Sequence, residues 1–445
     1  MICLVEMPRM LQCGVSRICL LRYQEEPIID SVAAGLQKIG HETKTIIFDR
    51  KDLAVESIKK EIETFKPDAC ITHNFYVFDA YDPDHFLEAY LKERQIPCVA
   101  WFWDSPTGSG SSGTVERFLY GSISDNIVNV ATDSWDFEFL KKRDIRTDFL
   151  GLAVADEFVA YTETLSKKVS SPYSFDVSFS GKPMGISFEK PLENEDDILD
   201  FYRDRLINDL VYKMNFKDLP SGVAEAQTKR FVDCFGPAII TFFSGLYSSV
   251  SEYEAAKSIF LQRLKTFYEQ AWVNRFLSVF GLIDFTYSWY QLNIYLHRLK
   301  EFNVAVYGGN LWADALLPGY GRPSPRLSQN ELLDCFHFSK ISFCLTKWHF
   351  RNMAHERVFI AYGCGGFPIT DFRSDLLKFF DKDEIVMYKN FEEAKDLIRF
   401  YLKNETERKR IAEKGKIKVL GEHTYSIRAK QLMQILNKHF GVSLK

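Results

Sequence analysis

The chain has 445 residues, which is enough for about two or three domains of ordinary size. With 46% hydrophobic and 26% charged residues its composition is that of an ordinary globular protein, and its net charge of -4 excludes the basic excess expected of a nucleic-acid-binding protein. Aromatic residues reach 15%, which favours large cores or surfaces that stack on sugars or bases.

The cysteines and the apolar segments indicate the compartment. Nine cysteines are scattered singly without a CxxC pair, which predicts reduced thiols rather than disulfides or a zinc site. The first 15 residues contain an acidic residue and a proline and do not resemble a signal peptide. No window reaches the roughly 18 to 20 apolar residues of a membrane span. Together these features predict a cytoplasmic protein.

Strand and helix patterns alternate through the first 155 residues, which predicts βαβ units and a parallel sheet. The predicted strands cover residues 17–21, 43–48, 68–72, 98–103, 127–131 and 148–152. The predicted helices between them cover residues 27–39, 53–65, 85–93 and 135–143. Active loops of such a sheet follow the carboxyl ends of its strands, where His73 and Asp104 stand in this chain.

A different pattern begins near residue 180. The strand at residues 176–179 is predicted to open a second α/β domain, and residues 186–300 then show helical periodicity with an aromatic face. We interpret this stretch as a helical insertion whose aromatic residues form mainly a core. Two other roles stay open for some of them, namely covering an acceptor cleft or making peripheral contact with a membrane surface.

The alternation of strands and helices returns after residue 300, so an α/β protein with two such domains facing a cleft is predicted. The predicted strands cover residues 304–307, 341–345, 367–370 and 385–388, and the predicted helices cover residues 391–402, 405–420 and 426–440. The expected parts are an N-terminal domain (1–155), a connecting segment with the first strand of the second domain (156–185), the helical insertion (186–300), a C-terminal domain (301–425) and a C-terminal helix (426–445).

The segment from His355 to Asp371, HERVFIAYGCGGFPITD, carries the strongest local signal. A short amphipathic helix with Arg357 ends on glycines and is followed by an apolar strand, which is typical of an open α/β sheet. The free N–H groups and the positive dipole end at the helix start, together with Arg357, predict an anion site that suits a phosphate-bearing donor. The alternative is a structural corner with a surface arginine.

An ordered set of short motifs covers about residues 300 to 440. These motifs are Val306-Tyr307-Gly308, Arg357-Val358-Phe359, Ala361 to Phe367, Thr370-Asp371, and His423-Thr424-Tyr425 with Arg428. The set resembles the CgeB-type, spore-maturation-like glycosyltransferases, which have two Rossmann-like domains (the GT-B fold) and a group 1-like C-terminal domain. Trp101 to Pro106 and Asp176 to Phe179 resemble the strand end and the interdomain strand of that family. The helical insertion has no recognised counterpart.

The resemblance implies transfer of a sugar from a nucleotide-diphosphate sugar to an unknown acceptor, which is a glycan, a protein or a small molecule. It implies that neither a metal nor another cofactor is bound, because basic side chains stabilise the departing diphosphate. Arg357 is the first candidate for that role and Lys347 the second. The other residues expected to bind the donor are Gly181, Gly308, Gly309, His355, Glu356, Gly365 and Gly366. The oligomeric state is left open.

One position departs from the family pattern. A glutamate that binds the donor ribose usually stands immediately before the alanine, and this chain has Ile360 there. The usual asparagine two residues before the arginine is His355. Three outcomes stay open: Glu356 and His355 take over these contacts, the donor is held differently, or activity is lost.

An inverting transfer needs a carboxylate or an imidazole beside the acceptor hydroxyl. Asp104 and His73 end neighbouring predicted strands, and Asp104 is the first candidate for this base. The alternatives are a turn aspartate before Ser105-Pro106 and a buried histidine. A retaining reaction needs no such base. The pair Asp82 and Asp84 resembles a metal-binding motif, but we interpret it as a helix cap, and no metal site is predicted.

Two functions besides sugar transfer stay open. A non-catalytic scaffold with the same fold would bind a partner through the helical insertion, and Ile360 favours this alternative. A sugar-nucleotide epimerase or hydrolase would use the same architecture without an acceptor. A screen of nucleotide-sugars separates the transferase from the scaffold before any acceptor is known.

Overall fold

The computed structural model describes residues 15–23, 27–48, 55–74, 78, 86–106, 123–165, 167–168, 171–181, 192, 194–213, 221–247, 249–267, 273–308, 321–324 and 327–441. Its strands form two parallel sheets, one from each end of the chain. The α/β class predicted from the alternating pattern is confirmed.

The first sheet contains six strands. They are β1 (Arg17–Tyr23), β2 (Glu42–Phe48), β3 (Ala69–His73), β4 (Cys98–Phe102), β5 (Ile127–Ala131) and β6 (Thr147–Phe149). All neighbours pair in parallel, in the order β2-β1-β3-β4-β5-β6. β4 and β5 are buried along their whole length, as expected for strands covered on both faces.

The second sheet also has six strands and is built in the same way. They are β7 (Val177–Ser180), β8 (Val304–Tyr307), β9 (Gly321–Ser324), β10 (Ile341–Cys344), β11 (Pro368–Asp371) and β12 (Val386–Tyr388). Their order is β12-β11-β10-β7-β8-β9, again all parallel. The direction in which strands are added therefore reverses between β7 and β10.

The helices of the α/β parts lie between these strands. In the first part they are Pro27–Lys38, Val55–Phe65, Phe86–Glu93, Ser134–Lys141 and Asp156–Leu165. In the second part they are Gln329–Phe338, Arg357–Gly363, Phe391–Lys403, Glu405–Glu422 and Tyr425–Phe440. Neither Asp156–Leu165 nor Gln329–Phe338 was expected from the sequence pattern.

The helical insertion stands between β7 and β8. Its described helices are Glu195–Lys213, Ser221–Ser244, Val250–Phe267 and Val273–Arg298, which we call the long insertion helix. Its aromatic residues form a core, as expected, since Phe243 and Tyr287 are completely buried. This core is continuous with one face of the second sheet, so the insertion packs on that sheet.

The C-terminal helix Tyr425–Phe440 returns to the first part of the chain and packs against the helix Pro27–Lys38. The guanidinium of Arg428 donates to the carbonyl oxygens of Gly151 and Leu152 at 2.7 and 2.8 Å. The end of the chain thus connects the two α/β parts. None of the helices within the described ranges has the length and apolar character needed to cross a membrane.

Candidate functional site

The point where strand order reverses in the second sheet lies between β7 and β10. In open α/β sheets ligands bind outside the carboxyl ends of the strands at this topological switch point. Gly181 follows β7 there, and Thr346 and Lys347 follow β10. Two of the predicted donor-binding residues therefore stand at the position where the topology places a ligand.

A pocket opens at this switch point and holds about 370 Å³ of empty space, counting its open mouth. We call it the switch-point pocket. It is lined by Phe179, Gly181, Ser288, Trp289, Leu292, Leu345, Thr346, Lys347, His355 and Arg357. The structure thus brings together four residues that were predicted from different parts of the sequence to bind the donor: Gly181, Lys347, His355 and Arg357.

The guanidinium of Arg357 lies half-buried in the wall of this pocket. It stands over the ring of Phe179 at 6.0 Å, and a Cβ atom at Gly181 would lie 3.5 Å from its Nη1 atom. Burial lowers the pKa of Arg357 from its ordinary value. Within the described part of the chain no carboxylate lies at ion-pair distance from it. A partly desolvated cation of this kind gains from a bound anion.

Lys347 and His355 stand beside Arg357. The Nζ atom of Lys347 lies over the rings of Trp289 and Phe285, at 4.9 and 5.4 Å from their centres. Burial, with the nearby charges of Arg357 and Lys347, holds the pKa of His355 well below its usual value. His355 is therefore neutral near pH 7, and its ring can donate or accept a hydrogen bond without adding charge.

The anion site expected at the helix start needs correction. The helix Arg357–Gly363 has only seven residues, and Glu356 at its N-cap makes no capping hydrogen bond through its side chain. The N–H groups of Arg357 and Val358 already face the ring Nδ1 atom and the carbonyl oxygen of His355, at 3.4 and 3.3 Å. The basic side chains, rather than free helix N–H groups, therefore give the pocket its positive character.

The predicted glycines fall into two groups. Gly308 follows β8 with φ of 147°, a conformation that favours glycine, and the N–H of Gly181 donates to Tyr307 at 2.9 Å, so both lie at the carboxyl edge of the sheet. Gly309 lies outside the described residues. Gly365 and Gly366 precede β11 and therefore lie at its amino end, at the edge opposite the pocket. Their expected donor contact does not agree with this placement.

The reason for glycine at this corner is packing. A Cβ atom at Gly366 would lie 2.3 Å from the carbonyl oxygen of Phe336, and Gly365 has φ of 79°. The ring Nδ1 atom of His337 lies 2.7 Å from the carbonyl oxygen of Cys364. The glycines therefore allow the chain to turn from helix to strand against the helix Gln329–Phe338.

Ionisable side chains form a second group where the first sheet meets the segment after β10. Asp104 follows β4, and its carboxylate Oδ1 atom lies 3.5 Å from Nε2 of His349. His73 is the last residue of β3, and its ring packs at a tilt against that of Trp103, with the ring centres 4.4 Å apart. His73 and His355 lie close enough to Asp104 to act on it electrostatically. The structure therefore brings both candidate bases, Asp104 and His73, toward the C-terminal part.

The pKa values of this second group are displaced in opposite directions. Burial alone would raise the pKa of Asp104, but His349, His73 and His355 outweigh it and lower that pKa well below its ordinary value. Burial raises the pKa of Glu356. Burial lowers the pKa of His349. Asp104 is therefore ionised at neutral pH and able to accept a proton, whereas His349 is neutral.

A carboxylate clamp joins the two α/β parts beside this group. The Oδ2 atom of Asp133 accepts the backbone N–H groups of Arg351, Asn352 and Met353 at 2.7, 2.9 and 3.1 Å. Its Oδ1 atom accepts the N–H of Trp135 at 2.8 Å and so caps the helix Ser134–Lys141. A second carboxylate, that of Asp375 in the C-terminal part, accepts the backbone N–H and the hydroxyl of Ser134 in the N-terminal part, both at 2.7 Å.

The position that lacks the family glutamate is apolar in the structure as well. Ile360 is partly buried and packs against an apolar cluster that includes Phe359 and Phe380. The described lining of the switch-point pocket contains no carboxylate, and Glu356 is not part of it. A role of Glu356 in binding the donor ribose thus stays a prediction. Within the described residues, no group of three or more potential metal ligands is present.

Several residues of the site were not found from the sequence. The long insertion helix contributes Ser288, Trp289 and Leu292 to the pocket, and His349 faces Asp104. No local pattern distinguishes these positions from core residues, because the helix is buried on several sides and His349 stands in an irregular segment.

Comparison with known proteins agrees with this geometry. Residues 293–434 match the protein family described as glycosyl transferase-like. The predicted enzyme class, a glycosyltransferase, is thereby confirmed for the domain that carries Lys347, His355 and Arg357. No curated protein matches the chain.

Solved structures show a similar fold at very low sequence identity. Sucrose-phosphate synthase from Thermosynechococcus elongatus aligns with a TM-score of 0.50 and 8% identity, over 96% of this chain and 99% of that one. The HepE protein of Anabaena, in complex with UDP and glucose, gives a TM-score of 0.47 and 7% identity, over 95% and 100% of the two chains. The first of these likenesses confirms the predicted GT-B fold with its two Rossmann-like domains.

Proposed function

We propose that this protein transfers a sugar from a nucleotide-diphosphate sugar, and that the diphosphate occupies the switch-point pocket. The observation that carries the proposal is the half-buried guanidinium of Arg357, whose pKa is lowered by burial and which has no carboxylate at ion-pair distance among the described residues. An anionic diphosphate would supply the missing negative charge. The match of residues 293–434 to the glycosyl transferase-like family supports the same function.

The proposed chemistry relies on charge stabilisation. When the bond between the sugar and the diphosphate breaks, negative charge develops on the departing oxygen, and fixed cations that face it lower the barrier. Arg357 and Lys347 supply these cations, and neutral His355 offers a hydrogen bond beside them. We propose that this arrangement works without a metal ion, in the manner of the CgeB-type enzymes that the sequence resembles.

The acceptor is proposed to bind on the side of the first sheet. Asp104 is ionised at neutral pH and faces the C-terminal part, so it is suited to take a proton from an acceptor hydroxyl in an inverting transfer. Its lowered pKa makes it a weak base, and Nε2 of His349 lies 3.5 Å from its carboxylate. The chemistry of the pocket does not distinguish a glycan from a protein or a small molecule as acceptor.

A donor screen tests the proposal. Binding of UDP-, GDP-, ADP-, CDP- and TDP-sugars to the full chain is measured by thermal shift and by isothermal titration. At least one donor should bind saturably, and Arg357→Ala should weaken it about 100-fold, because a charged contact to the diphosphate is lost. Arg22→Ala is the matched control, since Arg22 lies at the switch point of the first sheet and is paired with Asp30.

The scaffold alternative makes the opposite prediction in the same screen. The absence of a carboxylate from the described pocket lining, together with Ile360 in place of the family glutamate, is the observation that favours it. If none of the donors binds or is hydrolysed, the protein is not a nucleotide-sugar transferase. If free monosaccharide appears without an acceptor, the hydrolase alternative is preferred.

A further inference from the structure

The segment between β10 and the helix Arg357–Gly363, which we call the donor loop (residues 345–356), carries Lys347 and His355 to the pocket. Most of it is buried, including Trp348, Phe350 and Met353. A buried segment without regular structure needs partners for its backbone and side-chain polar groups. Asp371 and Arg373 at the end of β11 supply some of these partners, and the helical insertion supplies others.

The first anchor of the donor loop is Trp348. Its backbone N–H donates to the hydroxyl of Ser288 at 2.8 Å, and its indole N–H donates to Oε1 of Gln291, also at 2.8 Å. Its ring stacks on Tyr253 with the ring centres 4.2 Å apart. Ser288 and Gln291 belong to the long insertion helix and Tyr253 to the helix Val250–Phe267, so the insertion supplies these three contacts.

The second anchor is Arg351, which is buried together with Asp284 and lies against the partly exposed Glu254. Its Nη2 atom lies 3.0 Å from Asp284 and its Nε atom 2.6 Å from Glu254. Asp284 also binds Nζ of Lys257 at 2.5 Å. Buried ion groups of this kind tolerate little change in geometry, because each charge relies on its partners. The insertion therefore contacts the donor loop on both sides of His349, in addition to the clamp that Asp133 makes with its backbone.

The same helix reaches the pocket directly. Lys347 immediately precedes the first anchor, and its Nζ atom lies over the ring of Trp289 at 4.9 Å. Trp289 lies between Ser288 and Gln291 in sequence and lines the switch-point pocket with Leu292. The long insertion helix thus binds Trp348, the residue after Lys347. It also contacts the ammonium group of Lys347 and forms one wall of the switch-point pocket.

We propose that the helical insertion is an integral part of the donor site, in which Gln291 acts as a positioning residue that holds Lys347 against the diphosphate through Trp348. This inference rests on the proposed function and deepens it. It assigns to the insertion a role at the site itself, in contrast to a separate module that binds another protein.

The hydrogen bond between Gln291 and Trp348 offers a sharp test. Gln291→Met keeps the length of the side chain but removes the acceptor and leaves a buried indole N–H without a partner. Asn293→Leu is the matched control on the same helix, because Asn293 is also buried and donates to the hydroxyl of Tyr202 at 2.8 Å and to the carbonyl oxygen of Trp289 at 2.9 Å, neither of which belongs to the donor loop. Both variants should lower Tm by similar amounts.

The readout is the Kd of inorganic pyrophosphate, measured by isothermal titration on the full chain. Lys347→Met and Gln291→Met should each raise Kd about fivefold to tenfold, whereas Asn293→Leu should leave it within about twofold. In the Lys347→Met background, adding Gln291→Met should change Kd less than about twofold, because the positioned group is gone. A purely structural role would not produce this dependence on Lys347.

The outcomes separate the inference from the function on which it rests. If Gln291→Met and Asn293→Leu shift Kd equally, or if the effect of Gln291→Met persists without Lys347, the positioning role is wrong while the donor site stands. If the wild-type protein binds neither pyrophosphate nor any nucleotide-sugar, the proposed function fails and the inference fails with it. Loss of binding in Arg357→Ala confirms that the pocket itself is being measured.

Discussion

The two sheets have the same construction but treat the charge at their switch points differently. In the first sheet the order reverses between β1 and β3, and Arg22 at the end of β1 lies 2.5 Å from both carboxylate oxygens of Asp30. In the second sheet the order reverses between β7 and β10, and Arg357 has no carboxylate at ion-pair distance among the described residues. The fold pairs one cation with a carboxylate and gives the other no such partner among the described residues.

The difference shows that topology alone does not locate the binding site. The switch-point rule gives two crevices in this molecule, one for each sheet. The pairing of side chains decides between them, since a paired arginine gains little from an added anion and a half-buried one without a carboxylate partner gains much. The donor is therefore expected on the second sheet, with the groups of the first sheet left to serve the acceptor.

The largest effect on the reaction rate is expected at Asp104, the residue beside the first sheet that we propose as the base. Asp104→Asn removes the proposed base while keeping the shape of the side chain, so the rate of transfer, or of donor hydrolysis, should fall about 100-fold or more. The Kd of the donor should change less than about twofold. Steady-state kinetics with a titration of the donor checks both quantities. An unchanged rate would remove Asp104 from the mechanism and favour a retaining reaction.

The next effect concerns the clamp that fixes the two sheets beside each other. Asp133→Asn replaces a buried carboxylate that accepts three backbone N–H groups through one oxygen, and should lower the free energy of unfolding by about 3 kcal/mol. Urea unfolding measures this change. Asp68→Asn is the control, because Asp68 accepts one exposed N–H, that of Arg17. Equal small losses in both variants would show that the clamp contributes little.

A pH dependence of stability is expected where the C-terminal helix connects to the first part of the chain. Burial and the neighbouring Arg428 lower the pKa of His423 from 6.5 to about 4. The unfolded chain then binds a proton that the folded chain excludes, so stability is full above pH 6.5 and falls as the pH drops toward 4. Between pH 6.5 and about 5 the loss from this residue is about 2 kcal/mol.

The variant His423→Gln isolates this contribution. It keeps an acceptor for the guanidinium of Arg428, which lies 2.7 Å from Nδ1 of His423, but cannot take up a proton. Stability is measured by urea unfolding at several pH values. Between pH 6.5 and about 5, the variant should lose about 2 kcal/mol less stability than the wild-type protein. An identical slope of stability against pH would mean that folding does not lower the pKa of His423.

The smallest effect is expected at the first switch point. Asp30→Ala unpairs Arg22, but Asp30 is 59% exposed, so the free energy of unfolding should change by less than about 1 kcal/mol. Pyrophosphate should still bind at one site, with an unchanged Kd. A second binding site in this variant would show that an unpaired arginine at a switch point is enough to create an anion site, and would strengthen the comparison of the two sheets.

The strands were largely readable from the sequence, because short apolar runs bounded by glycine, proline and polar residues are local signals. The strands predicted at residues 127–131 and 304–307 have the same bounds in the structure. The helix Gln329–Phe338 was missed although Ser328 and Glu331 form a capping box, a signal that is visible in the sequence. The apolar face of that helix is short, so its periodicity is weak.

The site was only partly readable. Lys347 and Gly181 were found because the carboxyl ends of parallel strands meet at one edge. Gly365 and Gly366 lie at the amino end of β11, where packing explains them, so their contact with the donor stays a prediction that this placement does not favour. Trp289 and Gln291 were missed because their contacts join segments almost 60 residues apart, which no local pattern records.

The most direct test of the central claim is a crystal structure of the protein with a nucleoside diphosphate. The account predicts that the diphosphate lies outside the carboxyl ends of β7 and β10, with the guanidinium of Arg357 at hydrogen-bond distance from its oxygens. A diphosphate bound at the first sheet, or at any place out of reach of Arg357, would contradict the account.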